Sequence, residues 1–369
     1  MTNYLRHLIV LSLITLCLSA CGREQLFQSQ SYVFGTLVDI TITDVPEPRA
    51  RELANHVMQE FQGLHNRLHA WQPSELSTLN TAFKQGKTVN ISPQLTQIIT
   101  DATALSQTSN SLFNPAIGGL INAWGFQRSE FTPLQPKAIT IETLVKANPQ
   151  MSDIVLKDGK AYSRNAAVQL DLGGYAKGYA LDIAADYLRS HGVKNALINI
   201  GGNIIALGKH GDSPWRVGIQ DPRGPSAIAT VKLEDGWAIG TSGDYQRYFE
   251  VNGKRYCHII DPRTGYPSQG TEAVTIMLPP QHEKTALPPQ QKNPTVTSYA
   301  GVLSDVLSKP IFLSTPSQRP AVLQKLAQQF QLQNVMMIDN QHHIFITPML
   351  AKRIHWLDEK NAQQATIFN

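Results

Sequence analysis

Three short segments hold most of the side chains that could move a proton or grip a phosphate. In His258-Ile259-Ile260-Asp261-Pro262-Arg263-Thr264-Gly265, an imidazole, a carboxylate and a guanidinium fall within six residues, where a strand runs into a Pro/Gly turn. Such loops commonly carry function because a rigid scaffold presents them. A histidine there suits the removal of a hydroxyl proton, and a carboxylate beside it can orient the ring or help neutralise a metal. The same spacing allows a plainer arrangement, in which Asp261 caps the turn and Arg263 pairs with it on the surface. In Leu170-Asp171-Leu172-Gly173-Gly174-Tyr175-Ala176-Lys177-Gly178, a strand end meets a glycine turn and a helix start. Glycines admit close backbone approach, and the free N–H groups of a helix N-terminus suit phosphate oxygens. The spacing is neither Gly-x-Gly-x-x-Gly nor a Walker A loop, and a simple helix cap with Lys177 in solvent fits it equally. In Ala300–Lys309, Asp305 and Lys309 stand four apart on one helix face, ordinarily an i,i+4 ion pair. Asp305 is alternatively an oxygen ligand for magnesium, which often takes one or two carboxylates plus phosphates and water. The two Cys/His pairs that a four-ligand zinc site needs and a Gly-x-Ser-x-Gly elbow are both missing from the sequence beyond Cys21.

The elements that must carry these segments are read from periodicity. Tyr32–Ile42 has the β-branched alternation of a strand. Leu53, Val57, Phe61 and Leu64 recur at helical spacing, which predicts a helix over 48–68, with another near 94–108. A helix starting soon after Gly174 runs through Leu188, and Ala196–Ile200 is a buried strand stopped by Gly201-Gly202. Further strands are expected at Trp215–Gln220, Ala227–Leu233, Trp237–Gly240, Tyr245–Val251 and Ala273–Met277. Helices at about 299–309 and 318–330 lead to closing strands at Val335–Asp339 and His343–Thr347. The pattern is mixed α+β, with mixed sheets and packed helices, rather than a regular βαβ alternation. Residues 279–296, rich in proline, glutamine and lysine, read as a surface insertion.

Arg6 and His7, the apolar run Leu8–Leu18 and then Ser19-Ala20-Cys21 follow the order of a secretory signal. The run is too short for a helix across a bilayer of about 30 Å. Leu18-Ser19-Ala20-Cys21 resembles a bacterial lipobox, which implies cleavage before Cys21 and acyl chains on it that hold the protein at the periplasmic side of a bacterial membrane. The expected organisation is a signal at 1–20, a glutamine-rich tether at 21–30, one large domain at 31–350 and a tail at 351–369. Cys257 then has no intrachain disulfide partner. With 42% apolar residues the chain can bury a large core. The net charge of +4 is spread thinly, with no basic cluster interleaved with aromatics, which gives nucleic-acid binding no support.

Taken in order, the clusters resemble the ApbE flavin transferase family from about residue 31 to about residue 348. Each segment alone is weak, and five in sequence are specific. Phe34-Gly35-Thr36 is similar to the family's opening Met-Gly-Thr, and Trp71 stands where the family usually has tyrosine. Ser111-Leu112-Phe113-Asn114-Pro115 opens a segment similar to the one lining the FAD cleft, with Asn114 replacing a commoner aspartate. Thr241-Ser242-Gly243-Asp244-Tyr245 and His258–Gly265 resemble the remaining signatures. The resemblance implies a single large α+β domain of the T-fold-like ApbE kind. It implies FAD contacts from Phe34 and Trp71 by stacking, from Phe113, Asn114 and Pro115 in the cleft, and from Asp171, Lys177, Ser242 and Ile259. It also implies His258 as the group that activates the acceptor, supported by Asp261, and magnesium held by a backbone oxygen at Gly174 with Asp305 and Ser308. The family's C-terminal Ala-Asp-Ala-x-x-Thr has its threonine position filled here by Lys309, whose ammonium has donors only and cannot ligate a metal. Either Asp305, backbone and Ser308 hold the metal, or the ammonium partly substitutes for it, or transfer is lost.

The reaction so implied moves FMN from FAD to a threonine or serine hydroxyl of another protein and releases AMP. The implied partner is an exported domain of a membrane redox complex. Two rival readings remain open from sequence: a magnesium-dependent FAD pyrophosphatase, and a periplasmic FAD-binding lipoprotein without catalysis.

Overall fold

Alternating apolar residues fold the first described segment into a hairpin. In Leu26–Val33 (β1), Phe27 and Val33 are buried, and in Thr36–Thr43 (β2), Val38, Ile40 and Ile42 are buried. The strands pair antiparallel from Val33↔Thr36 to Leu26↔Thr43. The turn between them is Phe34-Gly35, with φ of 55° and 71°, and two-residue hairpin turns of this kind require positive φ at both positions. Glycine accepts that freely; at Phe34 it costs about 1–3 kcal/mol. The computed structural model describes residues 25–128, 133–280 and 299–368, so Cys21 and residues 281–296 of the expected insertion lie outside the described residues. Two expectations need correction here. Tyr32–Ile42 is not one strand, because Phe34-Gly35 reverses the chain, and residues 26–30 belong to β1 rather than to a tether. Their polar character comes from Gln28 and Gln30 on an exposed face.

The hairpin is the first edge of a larger sheet. Asn195–Ile200 (β3), Asn203–Leu207 (β4), Ala238–Gly243 (β5), Thr271–Leu278 (β6), Asn334–Asp339 (β7), Ile344–Ile346 (β8) and Thr366–Ile367 (β9) complete it. Among the described residues these nine strands lie side by side in chain order. Each pairs antiparallel with its neighbour except β9, which is parallel to β8. The central strands are buried on both faces: all eight residues of β6 are buried, with Val274, Ile276 and Leu278 in one core cluster and Ala273 and Met277 in another. The second cluster is covered by a small sheet of Trp215–Gln220, Ala227–Leu233 and Ile354–Trp356. Residues 351–369 are therefore no tail: Ile354–Trp356 pairs with Ala229–Val231, and β9 extends the main sheet. Segments of two or three residues are too short to show a period.

The helices are Glu47–Arg67 (α1), Glu75–Lys84 (α2), Pro93–Thr108 (α3), Gly118–Ala123 (α4), Ala138–Ala147 (α5), Ala176–Ser190 (α6), Ala300–Val306 (α7), Ser308–Leu313 (α8) and Arg319–Phe330 (α9); they share the core of the other face, except α4 and α5, whose Leu120 and Ile141 pack with Phe249 and Ile260 in a third cluster. Leu53, Val57, Phe61 and Leu64 form the buried stripe of α1, as their spacing predicts. The expected helix at about 299–309 breaks at Leu307, because Pro310 has no N–H to give the carbonyl four residues back and its ring crowds that carbonyl.

The pair α6 and α7 sets the geometry of the site. Gly178 and Gly301 face each other so closely that a β-carbon on Gly178 would lie 2.4 Å from the Gly301 carbonyl oxygen. Asp182 of α6 accepts from the N–H groups of Gly301 (2.7 Å) and Val302 (2.8 Å) at the start of α7. Asp305 of α7 accepts in turn from the Gly178 N–H (3.2 Å) in the first turn of α6. Each helix thus caps the unsatisfied N-terminal donors of the other.

Candidate active site

His258 reaches the site at the end of a hairpin, Tyr248–Val251 with Lys254–Cys257, inserted between β5 and β6. The backbone N–H of His258 donates to the Arg247 carbonyl at 3.0 Å, and its Nδ1 lies 3.2 Å from the same oxygen. The carbonyl can only accept, so Nδ1 carries the proton and Nε2 is the free acceptor, a tautomer assigned from the hydrogen-bond network. Burial pushes the imidazole down to about 3, helped by the positive charges of Arg247, Lys177 and Lys309 and opposed by the bond to the Arg247 carbonyl. Near neutral pH the ring is therefore an uncharged base.

Three basic side chains act on it electrostatically. Lys177 is in the first turn of α6, and burial lowers its pKa; Asp305 raises it, and Lys309 and Arg247 lower it further. Arg247 donates from Nη2 to the Phe126 carbonyl at 2.8 Å. Burial lowers its pKa too, with Asp171 acting against that. Lys309 Nζ donates to the Asp305 carbonyl oxygen at 2.7 Å and forms an ion pair with Asp305 Oδ1. Ser308 Oγ donates to the same carbonyl at 2.6 Å and lies 2.6 Å from Ser242 Oγ at the end of β5. A β-carbon at Gly174 would stand 3.0 Å from Lys309 Cε and 3.8 Å from Phe113 Cε2, so the absent side chain at 174 is what leaves Lys309 its path. Such a cluster is arranged to receive an anion with more than one negative charge.

An aromatic strip begins at the hairpin turn. The Phe34 ring is 5.8 Å from His65, His65 is 5.2 Å from His69, and His69 is 4.5 Å from Trp71, centroid to centroid. Trp71 is 41% exposed, enough to present an indole to a ligand. Burial lowers the pKa of His65, and that of His69 falls through burial and the charge of His65, opposed by Asp171. Asp171 is fixed in place: its N–H donates to the Pro115 carbonyl at 2.9 Å, and its carboxylate accepts from Gly173 N–H at 3.0 Å and Gln127 Nε2 at 3.1 Å.

The sequence profile of the ApbE family matches residues 34–287, more than half of the chain. The chain belongs to the ApbE family. An ApbE relative from Rhodobacter capsulatus, called FAD:protein FMN transferase, is 36% identical over 327 residues, which cover 88% of this chain and 57% of that protein. A Klebsiella pneumoniae protein of the same name is 36% identical over 219 residues, covering 55% of this chain and 66% of that protein. The chain thus spans less than two thirds of the length of both. The ApbE protein of Thermotoga maritima superposes with a TM-score of 0.76 at 26% identity, covering 89% of this chain and 99% of its own. The apo flavinyl transferase ApbE of Pseudomonas stutzeri superposes with a TM-score of 0.69 at 24% identity, covering 86% and 92%. The expected ApbE-like α+β fold is the observed one.

Measured against the ApbE resemblance, several expected residues take other duties. Asp261 does not support His258: its carboxylate accepts from Arg263 Nε at 2.9 Å, Nη2 at 2.6 Å and the Arg263 backbone N–H at 2.9 Å. It caps the turn, and Arg263 continues to the Leu313 carbonyl at 2.7 Å. Asn114 is buried with its Oδ1 accepting from Ala116 N–H at 3.0 Å and its Nδ2 donating to the Pro149 carbonyl at 2.9 Å. An aspartate could not make the second bond, so asparagine here shapes the loop rather than withholding a charge from a ligand. Pro115 acts through its bond to Asp171, and Ile259 is buried in the core.

Two of the three groups expected to hold magnesium, Asp305 and Ser308, are already engaged. Asp305 has one carboxylate oxygen paired with Lys309 and the other accepting from Gly178 N–H. Its carbonyl takes both Ser308 and Lys309, and the Ser308 hydroxyl is paired with Ser242. Among the described residues no three His, Cys, Asp or Glu side chains gather in a ligand set. Sequence reasoning missed Arg247, whose position two residues beyond Tyr245 carries no signal, and His65 and His69. The His-x-x-x-His spacing at the end of α1 would have revealed that last pair.

Proposed function

We propose that this chain transfers FMN from FAD to a threonine or serine hydroxyl of a protein acceptor and releases AMP. The observation that carries the reading is a neutral His258, with Nε2 free, set among Lys177, Arg247 and Lys309. In the proposed reaction the acceptor oxygen bonds to the FMN-side phosphorus. The bond from that phosphorus to the bridging oxygen breaks, and AMP leaves with that oxygen. The hydroxyl proton passes to Nε2 of His258. The three cations offset charge on the diphosphate and on the leaving oxygen, and holding donor and acceptor together supplies much of the rate. Phe34 and Trp71 stack on the flavin, with Phe113 near Gly174 closing the cleft. Ser242 orients Ser308 and through it Asp305. The relatives' name, FAD:protein FMN transferase, supports both the donor and the protein acceptor.

Magnesium comes with the family resemblance; because the donor set is engaged elsewhere, the chemistry is assigned to side-chain cations. We place the chain at the periplasmic side of a bacterial membrane, held by acyl chains on Cys21 after loss of residues 1–20. The Arg6-to-Cys21 sequence order supports this. An exported domain of a membrane redox complex is then the acceptor. To test the activity, the chain is incubated with FAD and such a domain, and the acceptor is read by intact mass and in-gel flavin fluorescence. An FMN-sized mass gain with AMP released is expected; free FMN and AMP with an unlabelled acceptor would replace the transferase by a pyrophosphatase.

A further inference from the structure

We infer that the Lys309 ammonium is the resident cation of this site, so that FAD is bound and used without a divalent metal. The transfer part of this inference rests on the proposed function; the binding part stands without it. Four features converge. The helix break at Leu307 leaves the Asp305 carbonyl in the last turn of α7, and Lys309 Nζ and Ser308 Oγ both donate to it. Both carboxylate oxygens of Asp305 are already engaged, one by the Lys309 ammonium and the other capping α6 through the Gly178 N–H, so a cation placed beside them would compete with Lys309 for the same group. Gly174 has no β-carbon where one would meet Lys309 Cε at 3.0 Å, so the glycine turn and the lysine are matched in shape. Finally, an ammonium has three N–H donors. Among the described residues two go to Asp305, which leaves one for an anionic oxygen.

A divalent ion placed beside Asp305 would have to displace this lysine and leave its charge buried, since the Lys309 side chain is only 15% exposed. Lys309 supplies one positive charge on the Asp305 side, and Lys177 supplies a second from α6. A diphosphate carries about two negative charges near neutral pH, which these two cations and Arg247 can offset.

The test uses the full chain in detergent, with Lys309→Thr and Lys309→Met, and thermal melting to establish that each is folded. FAD affinity is followed by quenching of flavin fluorescence, once in EDTA and once in millimolar magnesium, and acceptor labelling is followed in the same two buffers. The unaltered chain is expected to bind FAD with the same Kd, within about twofold, in both. Removing a charge-assisted hydrogen bond weakens binding about tenfold to hundredfold. Lys309→Met is expected to show that loss in both buffers. Lys309→Thr is expected to show it in EDTA and to recover with magnesium, because a hydroxyl oxygen can ligate the ion. Tenfold or greater tightening of FAD binding to the unaltered chain by magnesium would overturn the inference. Should the variants not fold, that titration alone decides. If the unaltered chain binds FAD regardless of metal yet never labels an acceptor, the transferase reading fails while the resident cation stands.

Discussion

Replacing His258 with alanine removes a neutral imidazole and leaves Lys177, Arg247 and Lys309 in place. With its pKa held at about 3, fewer than about one ring in ten thousand is protonated at pH 7.5. The base is fully available, and it contributes no charge to holding the diphosphate. Loss of a positioned base slows a reaction about 10²–10⁴-fold, or about 3–5 kcal/mol of barrier. FAD binding should change by no more than about threefold, since a neutral ring gives at most one modest hydrogen bond. The assay is single-turnover labelling of the acceptor at saturating FAD, with Kd for FAD measured separately by fluorescence. The pH profile carries further information. In the free protein, burial and cations depress the ring, so kcat/KM should show no limb from His258 between about pH 5 and 9. Bound FAD adds negative charge beside the ring, which raises its pKa, so the limb in kcat must lie above that in kcat/KM. Unchanged labelling by the alanine variant would remove His258 from the mechanism. A kcat/KM limb near 6.5 would show that the ring titrates as it does in water and that neither burial nor the three cations act on it.

Asp101 is buried in α3, with bonds from Gln97 Nε2 (2.8 Å) and Tyr175 Oη (3.4 Å), and burial raises its pKa to about 7. The fold therefore prefers the protonated acid, and the stability this gives is complete below about pH 4 and lost as pH rises through about 7. Asp101→Asn should stabilise the protein by up to about 4 kcal/mol at pH 8.5 and leave it unchanged near pH 3.5; equal urea midpoint shifts at the two pH values would contradict this. Phe34→Gly should relax the turn by about 1 kcal/mol while weakening FAD binding about twofold to tenfold through lost stacking. An unchanged Kd for FAD would take Phe34 out of the flavin site.

Much of the framework was legible because its signals are local. The α1 stripe of Leu53, Val57, Phe61 and Leu64 lies within one helix, and His258, Lys177 and Asp305 stood out because each sits in a dense polar or glycine-rich segment. What escaped depends on contacts made across the fold. Gln28 and Gln30 looked like tether because only the pairing of β1 with β2 shows that they are the outer face of a strand. Spacing could not choose between Asp261 bound to His258 and Asp261 bound to Arg263, since both groups are within three residues of it. Arg247 gains its importance only when the hairpin folds back and brings its carbonyl against the imidazole it supports. Pro310 stood one residue past the segment read as a helix, and it alone moves the helix end.

Because every strand of the main sheet lies beside its predecessor in the chain, the sheet can be assembled by growth at a single open edge. No late strand has to wedge itself between neighbours that are already joined. A polypeptide that emerges N-terminus first would deliver β1, then β2, and then each later strand to a partner already waiting. Non-local pairing is slow and leaves edges exposed to other chains meanwhile. The long wait falls between Thr43 and Asn195, where helices and a separate small sheet of Val89–Asn90, Ile154–Lys157 and Lys160–Ser163 occupy the chain. The order of synthesis and the order of construction can therefore be the same.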